Sequence, residues 1–291
     1  MESFYSDKAQ VRRSFERAAQ SYDGAAVLQR EVADRMLSRL DLVKLAPARV
    51  LDAGSGTGYA APLLGRRYPS AQLIEFDLAL AMLKVSAGKR GWLDRLRGRA
   101  PLQLCGDLEA LPLASGSIDL LWSNLAIQWL NEPDTAFAEC HRVLKPEGLL
   151  MFSTFGPDTL IELRRAFAEA DARPHVNRFI DMHDLGDALA RAGFAAPVMD
   201  MERIVLTYDD VKSVMRDLKA IGAHSAAVGR PRGLLGKQAF QRMCDTYEQL
   251  RSAGRLPATY EIVYGHAWKP QPRPQREDGR QVIEFRPRPQ S

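Results

Sequence analysis

At 291 residues and 46% hydrophobic content the chain has room for one large domain or two small ones, each with a real core. Forty basic against 36 acidic residues leave a formal charge of +4, compatible with an acidic partner, and no basic stripe interleaved with aromatics occurs outside the last residues, which argues against nucleic acid. The start M-E-S-F-Y-S-D-K has neither an apolar core nor a cleavage site and no later segment has the apolar length of a membrane span, so a cytoplasmic protein without membrane contact is expected.

Residues 1–45 form an N-terminal helical segment. Val11, Phe15, Ala18 and Ala19 share one periodic stretch, and Val27, Leu28, Val32, Met36 and Leu40 another. Between them Tyr22 and Asp23 mark a break that either folds over a ligand site or simply turns a corner.

The next stretch, R-V-L-D-A-G-S-G-T-G at 49–58, reads as strand, glycine turn and helix start. Alternate glycines let a ligand approach the backbone, and the following helix offers unpaired N–H groups. The spacing is GxGxG behind an acid, not the dinucleotide GxGxxG. A pyrophosphate would meet the charge of Asp52, whereas a ligand carrying an ammonium group would gain a partner from it.

Strand-like and helix-like stretches then alternate, the pattern of a parallel sheet covered on both faces. A second strand, 71–76, ends at Asp77, whose two carboxylate oxygens suit the hydroxyls of a ribose; Glu75 competes for that role. A third strand, Leu102 to Cys105, leads to Asp107 and Leu108. A fourth, 117–124, opens its carboxyl end on the same crevice and offers Ser123, Asn124, Leu125 and Gln128 as wall residues, with Trp129 as core or pocket wall. A helix from about Pro133 to Leu144 ends at the turn K-P-E-G, and strand five, Leu149 to Thr154, follows.

A helix then begins with Asp158 near its N-terminus, and Met182 to Ala192 reads as another. Val198 to Leu206 and Tyr260 to Trp268 read as strands six and seven. The predominantly helical residues between them, about 208–257, are too long for a plain connection and suggest a lid or a substrate-recognition element. The Pro- and Arg-rich tail, 270–291, reads as disordered and solvated. Three dispersed cysteines suggest reduced thiols, and the five histidines share no ligand spacing with them, so no metal is expected.

D-A-G-S-G-T-G resembles motif I of the class I S-adenosylmethionine-dependent methyltransferases. The flanks F-E-R-A-A-Q-S-Y-D-G-A-A-V-L-Q-R, S-N-L-A-I-Q-W, H-V-N-R-F-I-D-M-H-D-L-G-D-A-L and D-L-K-A-I-G-A-H are similar to the malonyl-acyl-carrier-protein O-methyltransferases of biotin synthesis, over about Val11 to Lys269. The resemblance implies a Rossmann-like α/β fold with a methyltransferase domain over 46–269. Its sheet would be seven-stranded and mostly parallel, with the last strand antiparallel and helices on both faces. It also implies S-adenosylmethionine as cofactor, held by Tyr22, Gln29, Asp52, Gly54, Gly56, Asp77, Met82, Asp107, Leu108 and Asn124, with Ser55 and Gly58 from the loop and Leu78 and Leu125 beside the strand ends. The partner would be acyl carrier protein bearing malonyl, and the enzyme a monomer.

The implied acceptor is a carboxylate. With a reference pKa near about 4 it is ionised at neutral pH and needs no general base, which agrees with the lack of a nucleophile and base constellation. A cation should locate it; Arg178, Lys219 and His224 are the candidates. Arg230, Arg232 and Lys237 are candidate contacts for an acidic carrier. Two other readings share the cofactor core: a respiratory complex I assembly factor modifying a protein subunit, and a quinone methyltransferase.

Overall fold

The computed structural model describes residues 6–91, 100–171, 175–222 and 236–272. His224, Arg230, Arg232 and the tail from 273 lie outside them. Seven strands form one sheet: β1 (Arg49–Ala53), β2 (Gln72–Asp77), β3 (Leu102–Cys105), β4 (Ile118–Asn124), β5 (Leu144–Phe155), β6 (Ala195–Tyr208) and β7 (Leu256–Trp268). Their order is β3-β2-β1-β4-β5-β7-β6. β1 to β5 pair in parallel, and β7 runs antiparallel to both β5 and β6. Residues 50–53 of β1, 120–123 of β4 and β5 from Gly148 on are buried without interruption, so their mainly apolar residues show no alternation with exposed ones.

Helices α4 (Ala60–Arg67), α5 (Leu80–Gly88), α6 (Pro133–Val143), α7 (Ile161–Ala168) and α8 (Met182–Arg191) cover the sheet. One core packs Leu64, Trp122, Leu163 and Phe167 on one face; the other packs Phe76, Phe137, Phe152 and Leu189 on the opposite face. Ahead of the sheet lie α1 (Lys8–Ala18), the single turn α2 (Tyr22–Ala25) and α3 (Val27–Arg39). α3 contributes Leu28, Val32 and Met36 to the first core, whereas α1 joins only a small cluster with Ala79 and Met82.

Between β6 and β7 stand α9 (Val211–Ala220) and α10 (Lys237–Glu248). α9 starts where Asp210 accepts a hydrogen bond from the Ser213 N–H at 2.7 Å. Val211, Val214, Met243 and Tyr247 stitch this pair into the first core.

Two local expectations are corrected. K-P-E-G is a bulge within the span of β5, since Leu144 pairs with Ile118 and the ladder resumes at Leu149 opposite Leu120. Strands six and seven are longer than their apolar cores, because the antiparallel ladder continues to Tyr208 opposite Leu256. Asp158 does lie near the start of α7: that helix starts at Ile161 after Leu160 at φ 55°, and the Asp158 side chain pairs with Arg203 at 2.5 Å.

Candidate active site

A cleft opens at the carboxyl ends of β1, β2 and β4, where the parallel strand order reverses around β1, and α1, α2 and α3 close over it. The glycine loop after β1 is fastened to β2: Gly54 and Ser55 donate their N–H groups to the Phe76 carbonyl at 2.7 and 3.0 Å, and Gly56 donates to Asp77 Oδ2 at 2.8 Å.

Two of its glycines serve different ends. A Cβ on Gly56 would project into the open cleft, with Tyr22 Cε1 nearest at 3.9 Å, so glycine here leaves room for a ligand. A Cβ on Gly58 would lie 2.0 Å from Ser86 Oγ and 2.8 Å from Glu75 Oε1. Gly58 therefore permits close packing on α5 behind the loop, and it does not line the cleft as the sequence pattern suggested.

The acids differ as sharply. Asp52 is 4% exposed and its Oδ2 has no hydrogen-bond partner. Burial, reinforced by the charges of Glu75 and Asp77, holds its carboxyl well above the usual carboxylate range. The buried Gln29 Oε1 and Ser55 Oγ are likewise unpartnered, and all three residues line one chamber of the cleft with Tyr22 and Asn124. Such a group of orphaned polar atoms, with Gln29 Oε1 able only to accept and Asp52 likewise once ionised, fits a polar ligand with a cationic amino group, whose charge would favour the ionised carboxylate.

Asp77 accepts from Gly56 N–H and, through Oδ1, from Ala79 N–H at 2.8 Å. Burial pushes its pKa up to about 6 in spite of these two donors. Glu75 is fully buried in a separate network: Ser86 and Gln103 donate to it at 2.8 Å each, and Arg90 forms an ion pair with it. Only Asp77 of the two faces the cleft.

Leu78, Met82, Asp107, Leu108, Asn124 and Leu125 line the far part of the same cleft, as their positions after the strands suggested. Asn124 is oriented by donating to the Gln29 carbonyl at 2.9 Å and accepting from Ser153 Oγ at 2.9 Å. The Tyr22–Asp23 break does fold over the site. Tyr22 walls both chambers, while Asp23 accepts from Thr57 Oγ1 at 2.5 Å and pairs with Lys89 at 2.6 Å.

Sequence reasoning missed the role of α1 as a wall. Lys8, Val11 and Phe15 all face the cleft; Lys8 pairs with Asp107 and Glu109 at 2.5 Å each, and Phe15 stands edge-on to Trp129 at 5.4 Å. Val11 and Phe15 carried a signal, being on one helical stripe. Lys8 carried none.

A second cavity of about 280 Å³ adjoins the cleft, sharing Gln128, Trp129, Phe155 and Ile221 as its wall. Leu160, Leu163, Phe167, Met215, Leu218 and Tyr260 make it mainly apolar; Thr159, His175, Asn177 and Lys219 add polar points. His175 stacks on Phe167 with centroids 4.1 Å apart and is held by Asp171 at 2.8 Å. Of the cations proposed from sequence, Lys219 lines this cavity. Arg178 is an exposed residue between two that line it, Asn177 and Phe179. His224 lies outside the described residues. Among the described residues no three His, Cys, Asp or Glu side chains are grouped to hold a metal ion, and no helix is long and apolar enough to cross a membrane.

A family model described as a methyltransferase domain matches residues 51–152, from β1 into β5. The malonyl-[acyl-carrier protein] O-methyltransferase of Laribacter hongkongensis (strain HLHK9) is 67% identical, with 98% of each chain covered. That of Methylovorus sp. (strain MP688) is 60% identical over 99% of this chain and 97% of its own, and that of Gallionella capsiferriformans (strain ES-2) is 58% identical over 97% and 98%. In fold alone the chain is similar to the YcgJ protein from Bacillus subtilis, with a TM-score of 0.57 at 15% identity over 83% of this chain and 99% of that one. A putative methyltransferase from Bacillus halodurans C-125 gives the same score at 18% identity over 81% and 99%.

Proposed function

The chain belongs to the malonyl-[acyl-carrier protein] O-methyltransferase family, and we propose that it moves a methyl group from S-adenosylmethionine onto the free carboxylate of malonyl-acyl-carrier protein, the esterification that starts pimeloyl synthesis for biotin. The observation that carries this proposal is the unpartnered, buried carboxylate oxygen of Asp52 on the glycine loop, next to a cleft that opens into a second cavity. When bound, the cofactor supplies an electrophilic methyl group on a sulfonium.

Asp52 and Gln29 are the acceptors for its amino group. Asp77 keeps lone pairs on both oxygens for the ribose hydroxyls after accepting from Gly56 and Ala79. Asp107 and Leu108 take the adenine end, and Phe15, Met82 and Trp129 pack around it. The acceptor enters the second cavity, with its carboxylate at the shared wall of Gln128, Trp129, Phe155 and Ile221.

No side chain has to remove a proton, because the acceptor arrives ionised. The protein's task is to hold carboxylate oxygen and methyl carbon roughly 3 to 3.5 Å apart and in line. Excluding water matters as well, since opposite charges are neutralised as the methyl moves and a dry wall favours that loss of charge. Gln128 can orient the acceptor without a full ion pair: its Nε2 donates to the Leu125 carbonyl at 2.5 Å, which fixes the amide at the junction. A strong cation there would hold the ground state more tightly than the transition state. We take the enzyme to act as a monomer in a reducing cytoplasm, a reading supported by its three free cysteines, Cys105, Cys140 and Cys244.

Incubation of the purified protein with S-adenosylmethionine and malonyl-acyl-carrier protein, followed by intact mass, should show addition of one methyl group to the carrier. Cofactor binding with no methyl on any malonyl thioester would overturn the proposal.

A further inference from the structure

Helix α9 has two faces with different chemistry. Val211 and Val214 are buried, and Met215, Leu218 and Lys219 line the second cavity. Its exposed residues are Lys212, Arg216 and Lys219. Spacings of four and three put them on one stripe.

Each neighbouring carboxylate has a partner of its own, and Asp210 also feels the charge of Arg216. Asp209 pairs with Arg255, Asp210 caps the helix through the Ser213 N–H, and Asp217 is hydrogen-bonded to Tyr208. Among the described residues none of the three cations forms an ion pair. A merely solvated face usually intersperses both signs; the exposed residues of α9 are all cations, and the nearest exposed acid that feels one of them, Asp210 beside Arg216, sits before the helix begins. Lys219 is at once exposed and part of the cavity wall, so the stripe ends where the cavity meets the surface.

We propose that the Lys212–Arg216–Lys219 face of α9 is the docking surface for an acidic carrier protein, set so that the carrier's arm enters the second cavity beside Lys219. This rests on the assignment of a carrier-borne thioester as acceptor. The surface attracts the protein part of the substrate by charge, while the largely apolar cavity behind it, with Asn177, His175 and Thr159 as polar points, takes the thin amide-bearing arm.

The test compares two acceptors for the full-length enzyme: malonyl-acyl-carrier protein, and malonyl-pantetheine, which has the arm without protein or phosphate. In the double variant Lys212→Glu/Arg216→Glu, KM for the malonyl carrier should rise about tenfold with kcat kept, and KM for malonyl-pantetheine should stay within about twofold. Raising the salt should raise the wild-type KM for the carrier and narrow its gap to the variant. The neutral pair Lys212→Gln/Arg216→Gln should fall between, and Arg66→Glu, an exposed cation on α4, should change neither acceptor. Equal changes for both acceptors, or an unchanged KM for the carrier, would overturn the docking surface. If the wild type methylates neither acceptor, the assigned reaction fails; docking is then read from fluorescence anisotropy of labelled holo acyl carrier protein. Weaker binding by the Glu variant supports the surface, and equal binding refutes it.

Discussion

Asp77 holds the glycine loop to β2 and presents the same carboxylate to the cleft, and its pKa of about 6 makes the two duties pH-dependent. Because the folded value lies above the ordinary 3.8, the native chain keeps a proton that the unfolded chain has released between those pH values. Ligand-free stability therefore falls as pH rises through that window, and the part due to this group is fully lost above about 6. A ligand whose hydroxyls donate to the ionised carboxylate gains over the same window. Thermal melts with and without S-adenosylhomocysteine should show a larger ligand-induced rise in Tm at pH 7.5 than at pH 5. Asp77→Asn should flatten that difference and weaken binding by roughly 10- to 100-fold, the range of a lost charge-assisted hydrogen bond. A difference that persists unchanged in the variant would assign the titration to another group.

The two glycines separate stability from binding at the same scale. Gly58→Ala drives a Cβ into Ser86 and Glu75, whose network leaves little slack, and should cost about 2–4 kcal/mol in denaturant unfolding. Gly56→Ala meets only open space but must adopt φ 54° and fills part of the cleft. It should lose about 1–2 kcal/mol of stability and at least about tenfold in cofactor affinity by calorimetry. Equal losses in both assays for both variants would refute the division.

Among the elements, α1 is fastened at both ends to loops that form the cleft. Lys8 bridges Asp107 and Glu109, Ser6 exchanges hydrogen bonds with Asn131 at 2.7 and 3.0 Å, and Glu16 accepts from the Leu80 and Ala81 N–H groups at 2.8 and 3.1 Å, capping α5 from outside. The two large cores contain no residue of α1. Loosening it should therefore affect ligand retention more than folding. Lys8→Ala/Glu16→Ala should speed release of S-adenosylhomocysteine about five- to tenfold in stopped-flow while Tm falls by only a few degrees. A large fall in Tm would make α1 part of the folding core.

For the molecule as a whole, the half that forms the cleft was legible in order and type. Strand ends, glycines and acids are set by local rules, so Asp52, Asp77, Asp107 and Asn124 could be placed in one crevice from the alternation alone. What stayed illegible depends on contacts distant in sequence. Nothing around Gly58 tells that its space is taken by Ser86, and nothing around Glu75 announces Arg90 and Gln103. Lys8 reaches Asp107 across 99 positions, a pairing that only the folded sheet creates. The second cavity was harder still: it joins β5, α7, α9 and β7, and no local pattern marks Phe155 or Ile221 as the seam with the cleft.

The β6–β7 ladder has a further consequence for how such enzymes diversify. Its last rung joins Tyr208 to Leu256, so the segment between them starts and ends a single strand spacing apart. A segment with such closely spaced ends can lengthen or be exchanged at little entropic cost. It behaves as a cassette, grafted beside the cleft without altering the strands that build that cleft. The graft is not free of its host, because Val211, Val214, Met243 and Tyr247 are pressed into the shared core. Acceptor preference should therefore be transplantable between relatives only when those four anchors, and the side chains they meet, travel together.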